Sequence, residues 1–160
     1  MELLFDAPIA VQIHIVAALS ALIFGPVVIF RKSRDRVHKV LGYVWISNIV
    51  VAATSSFFIS GIGLIGPFSP IHLLSIMALK GVYDGYRFIR LGQIKAHEAA
   101  MRSINFWAVG IASAFTLLPG RQVNRLLFDG DEWLGLVAIA FIASLMVYFG
   151  FIRGRISRAA

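Results

Sequence analysis

The four histidines of the chain are the residues best suited to chemistry, and each lies near one end of a long apolar segment. His14 and His72 fall at one level of the expected structure, and His38 and His97 fall at the opposite level. Neutral imidazole nitrogens are common metal ligands. Taken singly, each histidine is more simply explained as an amphipathic anchor or a hydrogen-bonding core residue. One histidine on each of four segments, at two matched levels, instead predicts paired ligation.

The segments that position these histidines have the length and composition of transmembrane helices. The 160 residues are 59% hydrophobic and 14% charged, whereas soluble domains are roughly 45–50% apolar and 25% charged. A bilayer core about 30 Å thick requires about 20 apolar residues per spanning helix. We therefore expect an all-α integral membrane protein, a single transmembrane domain of five helices that cover about 8–30, 38–62, 70–91, 95–118 and 133–152.

Short connections make the first four helices an up-down four-helix bundle, in which helices one and three are diagonal, as are two and four. His14 then faces His72, and His38 faces His97. A pair of imidazoles lacks the third and fourth ligands that zinc normally takes, but haem needs only two axial ligands. The absence of cysteine excludes the covalent attachment used by c-type haem. Any haem is therefore held non-covalently.

The basic residues predict the orientation of these helices. Twelve lysines and arginines lie on the side of His38 and His97, whereas only Arg121 and Arg125 lie on the opposite side. Positive loops stay in the cytoplasm, so the N-terminus is expected outside and the C-terminus inside. We therefore expect the basic residues that give the net charge of +7 to contact anionic lipid headgroups and not nucleic acid.

Four polar side chains fall in the middle of apolar segments. Lys80 and Asp84 lie four residues apart on one face of the third helix, where ionisable groups are costly and mark proton or quinone sites. Mutual neutralisation is the simpler explanation of that spacing. Asn48 and Asn105 predict hydrogen bonds between helices. No nucleophile is accompanied by a base, so no catalytic residue is assigned.

Several segments resemble an uncharacterised family of bacterial predicted membrane proteins. The likeness extends over about residues 10 to 125 and is carried by Ile13-His14, the segment His38-Lys39-Val40-Leu41-Gly42, Ser69-Pro70-Ile71-His72 and the segment His97-Glu98-Ala99-Ala100-Met101-Arg102-Ser103. That family implies a multi-pass protein of the bacterial inner membrane, without an assigned activity.

The expected architecture is also similar to that of the b561-like di-haem cytochromes. This likeness implies two haem b groups and transfer of electrons from a quinol or another membrane donor. The protein would be an oxidoreductase component only if haem is bound. Gly42, one turn after His38, leaves room for a flat ring, and Arg102 pairs with a haem propionate or a lipid phosphate. One alternative is a cofactor-free accessory or assembly subunit of a larger membrane complex. Another is a proton-coupled carrier that uses Lys80 and Asp84.

Overall fold

The computed structural model describes residues 7–59, 70–128 and 131–144, and all regular elements among these residues are helices, as predicted. A π-helical segment, Ile104–Gly110, joins the fourth and fifth α-helices without a break. The α-helices are α1 (Ile9–Phe30), α2 (Arg36–Ser56), α3 (Pro70–Arg90), α4 (Ile94–Ser103), α5 (Ile111–Thr116), α6 (Gln122–Phe128) and α7 (Trp133–Ser144).

Two of the described helices, α1 with 22 residues and α2 with 21, are long and apolar enough to cross a membrane. Helix α3 has the same length as α2, but its apolar run is interrupted by charge. The charged residues of α3 are Lys80, Asp84, Arg87 and Arg90. Length and composition therefore identify two membrane-capable helices among the described residues.

The helix ends follow local chemistry. The Asp35 carboxylate accepts a hydrogen bond from the backbone N–H of His38 and caps α2. Gly92 has a φ of 72° and ends α3 in the left-handed conformation that glycine favours.

Helix α2 ends at Ser56, earlier than the expected end near residue 62, and a turn over Phe57 and Phe58 follows. The hydroxyl of Ser55 donates to the carbonyl of Ala52, and Ser56 donates to Ala53. Such bonds from side chain to backbone compete with helix continuation. Residues 60–62 lie outside the described residues.

The segment expected as a fourth span, 95–118, is helical over 94–116. Its interior is a π-helix, in which each hydrogen bond closes a wider turn, and π-helical turns recur at functional sites. The segment expected as a fifth span begins as α7 at Trp133, and its residues after 144 lie outside the described residues. The short helix α6 occupies the expected loop between these two segments.

Residues Met1–Ala112 form a first compact unit. Within it α1 packs on α2, α2 on α3, and α3 on α4 and the π-helical segment, which also packs on α1. Trp45 is fully buried at the centre of the core. The buried apolar residues around it are Ala21, Val28, Ile49, Ala78, Val82, Met101, Ile104 and Ala108.

Gly25 allows α1, α2 and the π-helical segment to approach closely. A Cβ at this position would lie 2.2 Å from Asn105 Oδ1 and 2.8 Å from Trp45 Nε1. Both polar atoms are buried, and neither has a hydrogen-bond partner among the described residues. Asn105 thus packs between helices, but its Oδ1 accepts no hydrogen bond among the described residues, so the predicted bond between helices is not seen at this atom. Asn48 instead donates to the Val44 carbonyl of its own helix, 2.8 Å away.

Residues Ser113–Ala160 form a second compact unit. Asn124 is fully buried in it and donates from Nδ2 to the carbonyls of Leu117, at 2.6 Å, and Glu132, at 3.1 Å. The Glu132 carboxylate also accepts from the Gly120 backbone N–H. These bonds join α6 to Leu117 before it and to Glu132 after it.

Candidate functional site

His97 is held in place by a backbone carbonyl of the neighbouring helix. Its Nδ1 lies 2.8 Å from the carbonyl oxygen of Gly85 on α3. A carbonyl oxygen only accepts, so Nδ1 carries the proton and the lone pair of the neutral ring is on Nε2. This is the arrangement found in histidine ligands of metals, whose second nitrogen usually donates to a carbonyl or carboxylate.

His38 lies in the first turn of α2 and is half-buried. Its Nδ1 is buried and has no hydrogen-bond partner among the described residues. The imidazoles of His38 and His97 are near enough to interact electrostatically.

His14 contacts the last turn of α2. Its Nδ1 lies 2.9 Å from the carbonyl oxygen of Ala52 and 3.3 Å from the hydroxyl of Ser55. Because the carbonyl can only accept, His14 has the same tautomer as His97, with its lone pair on Nε2.

His72 also contacts the last turn of α2, but through its other nitrogen. Its Nε2 lies 3.2 Å from the carbonyl oxygen of Ser56, and its ring stacks on Phe57 with centroids 5.4 Å apart. The side chain is only 6% exposed. Ligation of iron through Nε2 of His72 would require this ring to release the Ser56 carbonyl.

A buried pair of hydroxyls connects α2 to α3 at the same level. Ser56 Oγ and Ser75 Oγ lie 2.7 Å apart, and Ser75 also lies within hydrogen-bond distance of the Ile71 carbonyl. Sequence reasoning did not identify these serines. Ser75 alone carried a signal, because it follows His72 by three residues on α3 and residues at that spacing share a helix face.

The opposite end of the helices carries a chain of ion pairs. The Arg34 guanidinium lies 2.8 Å from Glu98, and Arg102 lies 3.6 Å from the same carboxylate. These pairs tie the α1–α2 connection to α4 next to His97. Arg102, expected to meet a haem propionate or a lipid phosphate, thus shares Glu98 with Arg34 and keeps a side chain that is 48% exposed.

Asp35 has a perturbed pKa in the same connection. The hydrogen bond from the Arg31 guanidinium and that from the His38 backbone N–H lower the pKa of Asp35 to about 2. The same contact with Asp35 raises the pKa of Arg31 above its usual value. The carboxylate is therefore ionised throughout the physiological range.

The remaining predicted residues lie as follows. Gly42 is half-buried, and a Cβ there would contact only Val28, at 4.0 Å. Lys80 Nζ and Asp84 Oδ2 form an ion pair at 2.5 Å, in agreement with mutual neutralisation. The Lys80 side chain is 73% exposed and that of Asp84 is 32% exposed, so the pair faces outward from the core.

The fold and the long apolar helices define a helical membrane protein. The model of the family described as "Predicted membrane protein (DUF2306)" matches residues 11–152. The chain belongs to this family, as its histidine-containing segments predicted. Neither a search of curated proteins nor a search of solved structures finds a match.

Proposed function

We propose that this protein is a small b-type cytochrome whose histidines hold haem between diagonal helices. The observation that carries the proposal is the state of the inner pair. The Nδ1–H of His97 donates to the Gly85 carbonyl, which leaves the lone pair on Nε2, and the Nδ1 of His38 is buried without a hydrogen-bond partner among the described residues. A buried polar atom left unpaired costs about 1–3 kcal/mol, so an iron ligated by His38 would supply a missing partner.

The order of helix contacts supports the diagonal arrangement. Helices α1, α2, α3 and α4 contact each other in sequence, and the continuation of α4 returns to α1. This order fits an up-down four-helix bundle, with His38 on α2 and His97 on α4 across from each other.

The outer pair, His14 and His72, would hold a second haem. His14 has its lone pair on Nε2, whereas His72 donates from Nε2 to Ser56. We therefore propose that the inner site binds haem more tightly than the outer site, because at the outer site the ligating Nε2 of His72 must first release the buried Ser56 carbonyl. Haem supplies one-electron redox chemistry, and the protein orients it and sets its surroundings.

The proposed function includes an orientation of the helices in the membrane. We propose five spans in a bacterial inner membrane, with the N-terminus outside and the C-terminus in the cytoplasm. The basic segment from Arg31 to Arg36 would then lie at the cytoplasmic surface. The inner histidine pair would then lie near the cytoplasm and the outer pair near the outside. Electrons from a membrane donor would pass between the two levels.

The test is the visible spectrum of protein purified from haem-replete cells. We expect a Soret band and an α-band that respond to dithionite, with up to two haems per chain. His97→Gly and His38→Gly should each remove the inner haem, and added imidazole should restore it, because free imidazole can occupy the vacated ligand position. A folding defect alone would not be reversed by imidazole.

Lys39→Ala is the matched control, because Lys39 is exposed and adjacent to His38 but belongs to no proposed site. It should leave the haem content unchanged. A stable, colourless protein from the same cells would refute the cytochrome proposal and favour a cofactor-free subunit of a larger complex. A haem content that is the same in the wild type, His97→Gly and His38→Gly would refute the inner pair.

A further inference from the structure

A cavity of about 230 Å³ lies between α3 and the helical segment formed by α4 and the π-helix. Helix α3 contributes Met77, Asp84 and Phe88 to its lining, and the facing segment contributes Ser103 and Trp107. Met77 is 58% exposed and Trp107 is 65% exposed. The cavity is therefore open on the exposed side of α3. If α3 spans the membrane, as proposed above, this side faces lipid.

The backbone beneath the cavity is closely packed, so the cavity has a firm floor. A Cβ at Gly81 would lie 2.8 Å from Ile104 Cγ1. Because Gly81 has no side chain, α3 can approach the π-helical segment. The larger side chains of Met77, Phe88 and Trp107 line the cavity around Gly81. An apolar cavity with a few polar groups is the usual form of a small-molecule site.

The polar side chains that line the cavity are Asp84 and Ser103, and Lys80, which is outside the lining, forms an ion pair with Asp84. Ionisable groups facing lipid are costly, and where they occur they usually serve binding or proton transfer. The ammonium of Lys80 offers donors that its single bond to Asp84 does not use. The half-buried carboxylate of Asp84 lines the cavity itself and offers acceptors.

We propose that this cavity binds the headgroup of a membrane quinone or quinol. Lys80 would donate a hydrogen bond to a quinone carbonyl oxygen, and Asp84 would accept one from a quinol hydroxyl. The aromatic wall suits a flat ring. A cavity of about 150 Å³ holds benzene, so the larger space here accommodates a substituted ring, while the tail extends into lipid.

The position of the cavity deepens the proposed function, since Asp84 is adjacent to Gly85, whose carbonyl holds His97. A quinol bound there would lie beside the inner histidine pair and identify the class of electron donor. The electron-donor part of this inference rests on the cytochrome proposal. Binding of the quinone headgroup does not, and the experiment below separates the two.

The experiment is photolabelling of the full chain in phosphatidylcholine nanodiscs with an azidoquinone that carries a decyl tail. We expect mass spectrometry to place the label on the cavity lining, at Met77, Phe88 or Trp107. Unlabelled decylquinone should compete with the probe, and decanol should not. The same labelling is expected with protein from haem-starved cells, so that failure of haem binding leaves this result intact.

Asp84→Asn and Lys80→Gln should each weaken labelling about tenfold, the effect expected for loss of one charge-assisted hydrogen bond. Tyr83→Phe is the control, because Tyr83 lies on the exposed face of α3 and outside the cavity lining. Equal competition by decanol would overturn the proposal and identify a site for acyl chains. Labels spread over the lipid-facing surface would also overturn it, even if neither variant could be purified.

Discussion

The Nδ1 of His97 on α4 lies 2.8 Å from the backbone carbonyl of Gly85 on α3. The two residues are twelve apart along the chain, with the turn at Gly92 between them. Their hydrogen bond links α3 to α4. It also determines which imidazole nitrogen of His97 keeps its lone pair. A structural link and the chemistry of the candidate site thus depend on the same contact.

Gly85→Ala should weaken this link. The added Cβ would collide with Met101 Cε and lie 3.4 Å from Ala100 Cβ, and because the end of Met101 can move, we expect a cost of about 1 kcal/mol, the lower end for overpacking. Because the nearest atom is the end of a flexible side chain, Met101→Ala should partly relieve the clash. A double-mutant cycle from denaturant unfolding in detergent should therefore show favourable coupling. Additive effects of the two changes would contradict the close contact.

Gly25→Ala and Gly42→Ala form a matched pair that tests the packing at the centre of the core. A Cβ at Gly25 would collide with Asn105 and Trp45, whereas one at Gly42 would meet only Val28, at 4.0 Å. We expect Gly25→Ala to destabilise the protein by about 1–3 kcal/mol. Gly42→Ala should be neutral or slightly stabilising, because alanine has the higher helix propensity. Thermal unfolding in one detergent measures both, and equal effects would exclude this account.

The bond between Ser56 and Ser75 should appear as coupling between two buried hydroxyls. Each single change to alanine removes the hydrogen bond between the hydroxyls, while the remaining serine keeps a backbone carbonyl as partner, so each should cost about 0.5–1.5 kcal/mol. The double change removes both hydroxyls, so it should cost less than the two single changes together. The free energies of unfolding of the four proteins provide the measurement. If the double variant loses as much free energy of unfolding as the two single variants added together, the 2.7 Å contact between the hydroxyls contributes nothing to stability.

Asp35 should make the start of α2 sensitive to acid. Its folded pKa is lowered to about 2, below the value of about 3.9 for an unperturbed aspartate. A lowered pKa stabilises the fold above the unfolded value, and this stabilisation is lost as the pH falls from about 4 towards 2. Asp35→Asn retains a capping side chain without the titrating charge. Circular dichroism of detergent-solubilised protein over this range should show an Asp35-dependent loss of helicity, which the variant lacks.

The sequence by itself determined the helical class and the helix positions, because these depend on local properties. The apolar run of α1, the cap at Asp35 and the glycine at position 92 each act within a few residues of the helix end that they define. Apolar character alone placed the end of α2 too late, since the bonds from Ser55 and Ser56 to their own backbone end the helix first. The π-helical turn around Asn105 left no pattern in composition or spacing that we could recognise.

The histidines show what only the tertiary structure decided. Their helices and levels could be predicted from spacing, but the state of each imidazole depends on which carbonyl from a distant helix reaches it. His97 meets Gly85 through Nδ1, and His72 meets Ser56 through Nε2. The cavity beside Asp84 likewise arises where Gly81 lets two helices approach. Such contacts join residues far apart in the chain, and the packing of complete helices sets them.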